Sequence, residues 1–79
     1  MKAVTLFTRQ GCCLCDEAHA ILERVRARIP FALAVVDLDR EASSEQRDAY
    51  TEELPVVEIE GRKAFKFRVE EARLVRLLG

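Results

Sequence analysis

Ala3-Val4-Thr5-Leu6-Phe7-Thr8-Arg9-Gln10-Gly11-Cys12-Cys13-Leu14-Cys15 is the stretch on which the reading of this chain turns. Residues 3–8 are an apolar run with β-forming residues, and a helical pattern of Leu14, Ala18, Ile21, Leu22, Val25 and Ile29 begins inside the cysteine cluster. The cysteines therefore sit where a strand hands over to a helix. A C-x-x-C pair at such a point reads as a thiol–disulfide site. The first turn of a helix has unpaired N–H groups and the positive end of its dipole, and both favour a thiolate over a thiol.

The first strand, 3–8, places Val4 and Leu6 on one face and Ala3, Thr5 and Phe7 on the other, so both faces of its sheet are expected to be covered. Arg9-Gln10-Gly11 makes the turn. The first helix is expected over about 12–28, ending in Arg24, Arg26 and Arg28 and then Pro30. A helical wheel gathers Leu14, Ala18, Ile21, Leu22 and Val25 into a core face and sends Cys13 to solvent. It leaves Cys12, Cys15 and His19 on one flank, Cys15 and His19 one turn apart.

Phe31-Ala32-Leu33-Ala34-Val35-Val36 is a continuous apolar run, expected as a strand buried on both faces and closed by Asp37-Leu38-Asp39-Arg40. The strand–helix–strand order implies a right-handed crossover and parallel pairing. Asp37 and Asp39 read as strand-ending and helix-capping charges. Ser43 with Gln46 is a capping-box signal for a short helix reaching Tyr50, itself read as a packed helix residue. Residues 54–67 carry a hairpin signal turning at Gly61. A last helix is expected over about 69–78, with Val69, Ala72, Val75 and Leu78 inward and Glu70, Glu71, Arg73 and Arg76 solvated. The order is βαβ-α-ββα. It predicts one α/β domain over 1–79 with a four-stranded mixed sheet flanked by helices.

The whole-chain quantities bound the function. Seventy-nine residues, 49% hydrophobic and 34% charged, suit one small globular domain. A net charge of −1 gives no basic patch for nucleic acid. No apolar stretch approaches the roughly 20 residues of a membrane span, and no signal-peptide core opens the chain. Cytoplasmic residence is expected, where three clustered cysteines are not a structural disulfide framework.

With these features in place, the chain resembles the glutaredoxin-like branch of the thioredoxin superfamily over nearly its whole length. The resemblance rests on Cys12 and Cys15 after the first strand, on Asp16-Glu17-Ala18 behind them, on Pro55 before the third strand, and on the element order. It implies a thioredoxin-like fold and dithiol–disulfide exchange, with Cys12 as nucleophile and Cys15 as resolving thiol. Two intervening residues let one helical turn bring the sulfurs within disulfide range while Cys12 alone stays exposed. One activated and one hidden thiol is the useful asymmetry for exchange. From the residues alone Pro55 is either the start of an edge strand or a cis proline. The resemblance implies cis, with the backbone of Leu54 facing an extended substrate beside Cys12. Arg9 stands where glutaredoxins often carry a basic residue, from which it would raise Cys12 acidity or bind a glutathione carboxylate.

Two departures stand out. Glutaredoxins usually follow the hairpin with a glutathione-binding glycine pair, and here the stretch is Lys66-Phe67-Arg68-Val69. Arg68 is left as a candidate anion contact. Between the cysteines stand Cys13, read as an exposed bystander thiol open to oxidation, and Leu14, read as a core anchor. The expected partners are a disulfide-containing protein or a small-molecule thiol, with glutathione a candidate co-substrate, no bound cofactor and a monomeric chain. Two rival readings are metal or iron–sulfur binding through Cys12 and Cys15, and a non-catalytic adaptor on the same fold.

Overall fold

The computed structural model describes residues 1–79. The elements are β1 (Ala3–Thr8), α1 (Cys13–Arg26), β2 (Ala32–Asp37), α2 (Ser44–Tyr50), β3 (Val56–Ile59), β4 (Arg62–Lys66) and α3 (Glu71–Leu78). They form one four-stranded sheet in the order β2-β1-β3-β4. β1 pairs parallel with β2 and antiparallel with β3, and β3 pairs antiparallel with β4. The sheet is therefore mixed, as the element order predicts.

The hairpin turn is Glu60-Gly61, because Ile59 pairs with Arg62. Both turn residues have positive φ, 53° and 80°. That is what a two-residue turn with the twist of its flanking strands requires.

Alternation along β1 divides the core in two. Val4 and Leu6 join Val57 and Phe65 of the sheet, Ala18, Leu22 and Val25 of α1, and Leu74 of α3 in the main cluster. Phe7 points to the other face, with Leu38 and Val56, where Tyr50 and Leu54 pack. The Ser43–Gln46 capping box forms and starts α2, which brings Tyr50 to a ring-centroid distance of 5.1 Å from Phe7. The Tyr50 hydroxyl donates to Glu58 Oε2 at 2.6 Å. This bond and partial burial push the phenol up to about 12.

Four expectations change. The run 31–36 is not buried on both faces: β2 is an edge strand and Val35 is 43% exposed. Its side chains are rich in alanine, and helices cover it only in part. The face of α1 that meets the sheet is Cys15, Ala18, Leu22 and Val25, so the core stripe is centred one position beyond Leu14, which is 51% exposed. On α3 the fully buried residue is Leu74, while Ala72 is exposed. A stripe at strict spacing three drifts off a helix of 3.6 residues per turn, whereas Leu74, Val75 and Leu78 stay on one face. Glu71 is also no mere solvated charge, since Arg24 Nε donates to its Oε1 at 3.2 Å across to α1.

Leu22→Ala is expected to lower unfolding free energy by about 2–5 kcal/mol. Val35→Ala, on the open edge, is expected to cost about 0.5 kcal/mol or less. Urea melts of the two variants side by side check the difference in covering between α1 and β2.

Tyr50 is the single tyrosine and there is no tryptophan. Phenolate absorbance should therefore titrate with a midpoint near 12 in the folded protein and move back toward 10.0 in Glu58→Ala. The raised value means that the phenol's contribution to stability is complete below pH 10 and is lost as pH climbs toward 12.

Candidate functional site

β1 is central in the sheet and delivers the chain to its edge at Thr8. The backbone must then reverse into α1. Gly11 takes φ 81°, a left-handed conformation that side chains disfavour, and no atom lies within 4 Å of a Cβ placed there. Glycine at this position is thus a backbone requirement and not a steric one. Cys12 follows in extended conformation as the N-cap of α1, and its N–H donates to the Arg9 carbonyl at 3.2 Å.

The Cys15 N–H donates to Cys12 Sγ at 3.1 Å. Serine, threonine or aspartate oxygens normally fill this capping role. A sulfur in their place faces an unpaired N–H and the positive end of the helix, the environment that favours thiolate.

Cys12 and Cys15 are joined as a disulfide with Cα atoms 5.2 Å apart. Cys12 is half-buried and Cys15 is 1% exposed. Cys13 is a free, exposed thiol, on the outward side where the wheel puts it. Cys15 belongs to the buried face of α1, while His19, one turn on, is exposed. No group of three or more His, Cys, Asp or Glu side chains is disposed to hold a metal ion.

Pro55 reaches the same edge from the other side. Phe7 pairs with Val56, which puts Leu54-Pro55 beside the stretch leading to Cys12. The Leu54–Pro55 bond is cis and Pro55 is buried. Neither the N–H nor the carbonyl of Leu54 has a hydrogen-bond partner on the main chain. An unpaired donor and acceptor next to a disulfide can pair with an extended segment.

Arg9 is partly exposed and held by its neighbours. Its Nε and Nη2 bind Asp39 bidentately at 2.9 Å each, and Nη2 also donates to Thr51 Oγ1 at 2.7 Å. Asp39 in turn holds the guanidinium pKa up, and Arg9 holds the Asp39 carboxyl below its usual range. Asp37 Oδ1 accepts from the N–H groups of Asp39 and Arg40, closing the turn after β2.

Sequence reasoning does not reach Phe67. This residue has φ 70°, is 49% exposed, and donates its N–H to both the Glu53 and the Pro55 carbonyls at 3.0 Å. It thereby ties the turn after β4 to the cis-proline loop. No composition or periodicity signal marks a phenylalanine for a left-handed position. With Leu14, Ile21 and Val69 it lines a groove of about 430 Å³.

The glutaredoxin-like domain family (DUF836) matches residues 3–79. A relative from Dictyostelium discoideum, described as a glutaredoxin-like protein YDR286C homolog, is 32% identical over 75 residues, covering 90% of this chain and 69% of the relative. The solution structure of protein Ne2328 from Nitrosomonas europaea superposes with a TM-score of 0.84 at 21% identity, covering 99% of this chain and 92% of that one. The glutaredoxin from Methanosarcina mazei superposes at 0.69 and 19% identity, covering 98% and 78%. The fold is therefore the thioredoxin fold. No helix is long and apolar enough to cross a membrane.

The oxidised protein is expected to expose one alkylatable thiol, Cys13, both folded and in urea without reductant. Reduction should raise the count to the full three. Mass spectrometry of the alkylated peptides checks the count and the assignment.

Proposed function

Since the chain belongs to the glutaredoxin-like domain family, we propose that it is a thiol–disulfide oxidoreductase working through dithiol exchange at Cys12 and Cys15. The observation that carries this reading is the asymmetry of the pair. Cys12 is partly exposed at a helix N-cap and accepts an N–H, while its partner is sealed in the core face of the same helix.

Exchange proceeds by attack of a thiolate on a disulfide sulfur. In the reduced protein the Cys12 thiolate attacks a substrate disulfide, forming a mixed disulfide and releasing the first substrate thiolate, which takes a proton from water. Cys15 then loses its proton and attacks Cys12 Sγ. This step releases the second substrate thiol and closes the Cys12–Cys15 bridge. Two electrons pass from the protein dithiol to the substrate.

The other residues have supporting roles. The free N–H and carbonyl of Leu54 pair with the substrate backbone as an added strand, on a floor set by Pro55. Arg9 is already committed through Nε and Nη2, so it meets substrate through its remaining nitrogen, and its charge at Cys12 is shared with Asp39. The substrate is a disulfide in a protein or small molecule, glutathione is a candidate co-substrate, and the chain acts as a monomer in the cytoplasm.

A redox titration against dithiol/disulfide buffers should show a two-electron Cys12–Cys15 couple. Cys15→Ser should accumulate a mixed disulfide on Cys12, and Cys12→Ser should lose exchange by at least about a hundredfold. A protein that forms no reversible bridge, or that reacts only at Cys13, would sink the proposal.

A further inference from the structure

We infer that the groove between α1 and the β4–α3 turn is a seat for a large apolar side chain of a polypeptide substrate. The preferred substrate is then a peptide or protein disulfide with an apolar residue beside its cysteine, rather than glutathione disulfide. This inference rests on the redox reading above and deepens it.

The groove reaches the residue pair that the two redox cysteines flank in the chain. Leu14 stands between Cys12 and Cys15 in the chain and forms one end of it. Glu17, Ala20, Ile21 and Arg24 continue it along one face of α1, and Phe67, Arg68 and Val69 form the opposite wall. Five of the eight lining residues are hydrophobic, so its main offer to a ligand is apolar surface. From Leu14 to Arg24 the helix rises about 15 Å, the length of four or five extended residues. The groove is thus longer than a tripeptide engaged through its cysteine needs, and it suits a side chain on a longer segment.

Its two walls are the chain's anomalies. Leu14 and Phe67 are 51% and 49% exposed, among only five large hydrophobic side chains so placed. Leu14 lies in the first turn of α1, off the buried stripe of Cys15, Ala18, Leu22 and Val25. Phe67 is held at φ 70° by the two carbonyls its N–H binds, and Lys66 Nζ lies 5.6 Å from the centroid of its ring. A bulky residue in left-handed backbone is a genuine outlier that glycine would relieve. The fold gains little burial from this ring.

The charges fit the same occupant. Arg24 is engaged with Glu71 from α3. Glu17 and Arg68 remain without salt-bridge partners, one of each sign. The groove thus offers no surplus of cations for the two carboxylates of glutathione.

The test is a set of single-turnover reactions of the pre-reduced protein, whose own dithiol supplies both electrons. The substrates are a disulfide-linked peptide with leucine or phenylalanine beside the cysteine, its serine counterpart, glutathione disulfide, and a small uncharged aliphatic disulfide. The wild type should react with the apolar peptide about tenfold or more faster than with the serine peptide or glutathione disulfide, as burial of one large apolar side chain implies. Leu14→Ser and Phe67→Gly should each bring the apolar-to-serine ratio down to about threefold or below. Phe67→Gly removes the unfavourable φ, so its urea midpoint should not fall, and a lost ratio then cannot be ascribed to unfolding. If the wild type reduces the small disulfide but shows a ratio near one, or the ratio survives both variants, the groove assignment is overturned and the redox reading stands. If the wild type fails to reduce even the small disulfide, the redox reading is overturned and the substrate assignment goes with it.

Discussion

A single sulfur, Cys12 Sγ, has to satisfy two structural demands at once. It closes the first turn of α1 by accepting the Cys15 N–H, and it bonds covalently to the sulfur of that same residue. A helix start leaves donors without partners, and a capping side chain normally contributes about 1 kcal/mol by accepting from one of them. Here the cap is also the redox group. Reduction therefore exchanges a neutral disulfide sulfur for a thiol or thiolate at the helix terminus, where negative charge is favoured. Helix geometry and thiol chemistry are coupled through one hydrogen bond. The left-handed turn at Gly11 and the burial of Cys15 serve to keep that bond in place.

The surroundings of this bond combine rigid and variable parts. β1 is hydrogen-bonded on both sides, and α1 presses Ala18, Leu22 and Val25 into the core. Around this frame, four loops are fastened at two nodes. Arg9 joins the turn after β2 to the end of α2 through Asp39 and Thr51. The Phe67 N–H joins the turn after β4 to the carbonyls on both sides of the Leu54–Pro55 bond. Surface ion pairs contribute little in general, but a bidentate arginine has the geometry in which they contribute most.

Local chemistry made much of this legible. The strand 3–8, the capping box of Ser43 and Gln46, the hairpin at Gly61 and the outward Cys13 follow from alternation, capping and turn rules that act over a few residues. What escaped depends on position in three dimensions. The apolar content of 31–36 could not reveal that its strand lies at the sheet edge. The helical wheel places Leu14 in the apolar arc, yet the face that meets the sheet is centred on Cys15, Ala18, Leu22 and Val25, so an apparent core residue lies open. Arg9 was singled out as a basic residue near the site, but its commitment to Asp39 and Thr51 joins residues 30 and 42 positions away. No local pattern encodes such a pairing.

Phe67 sets local preference against tertiary demand most plainly. A left-handed backbone costs a residue with a Cβ roughly 1–2 kcal/mol, and about half of this side chain remains in water. Neither term stabilises the folded chain. The two hydrogen bonds from its N–H explain how the conformation is held, but glycine would make the same bonds without the cost. What glycine would remove is the ring itself, which lines the same groove as Leu14. Small domains have little stability to spare, and strain of this kind tends to gather where a surface is used. The phenylalanine is thus better accounted for by what the groove receives than by what the fold requires. The same consideration applies to Leu14, a large apolar side chain that lies off the buried stripe of α1 and is 51% exposed.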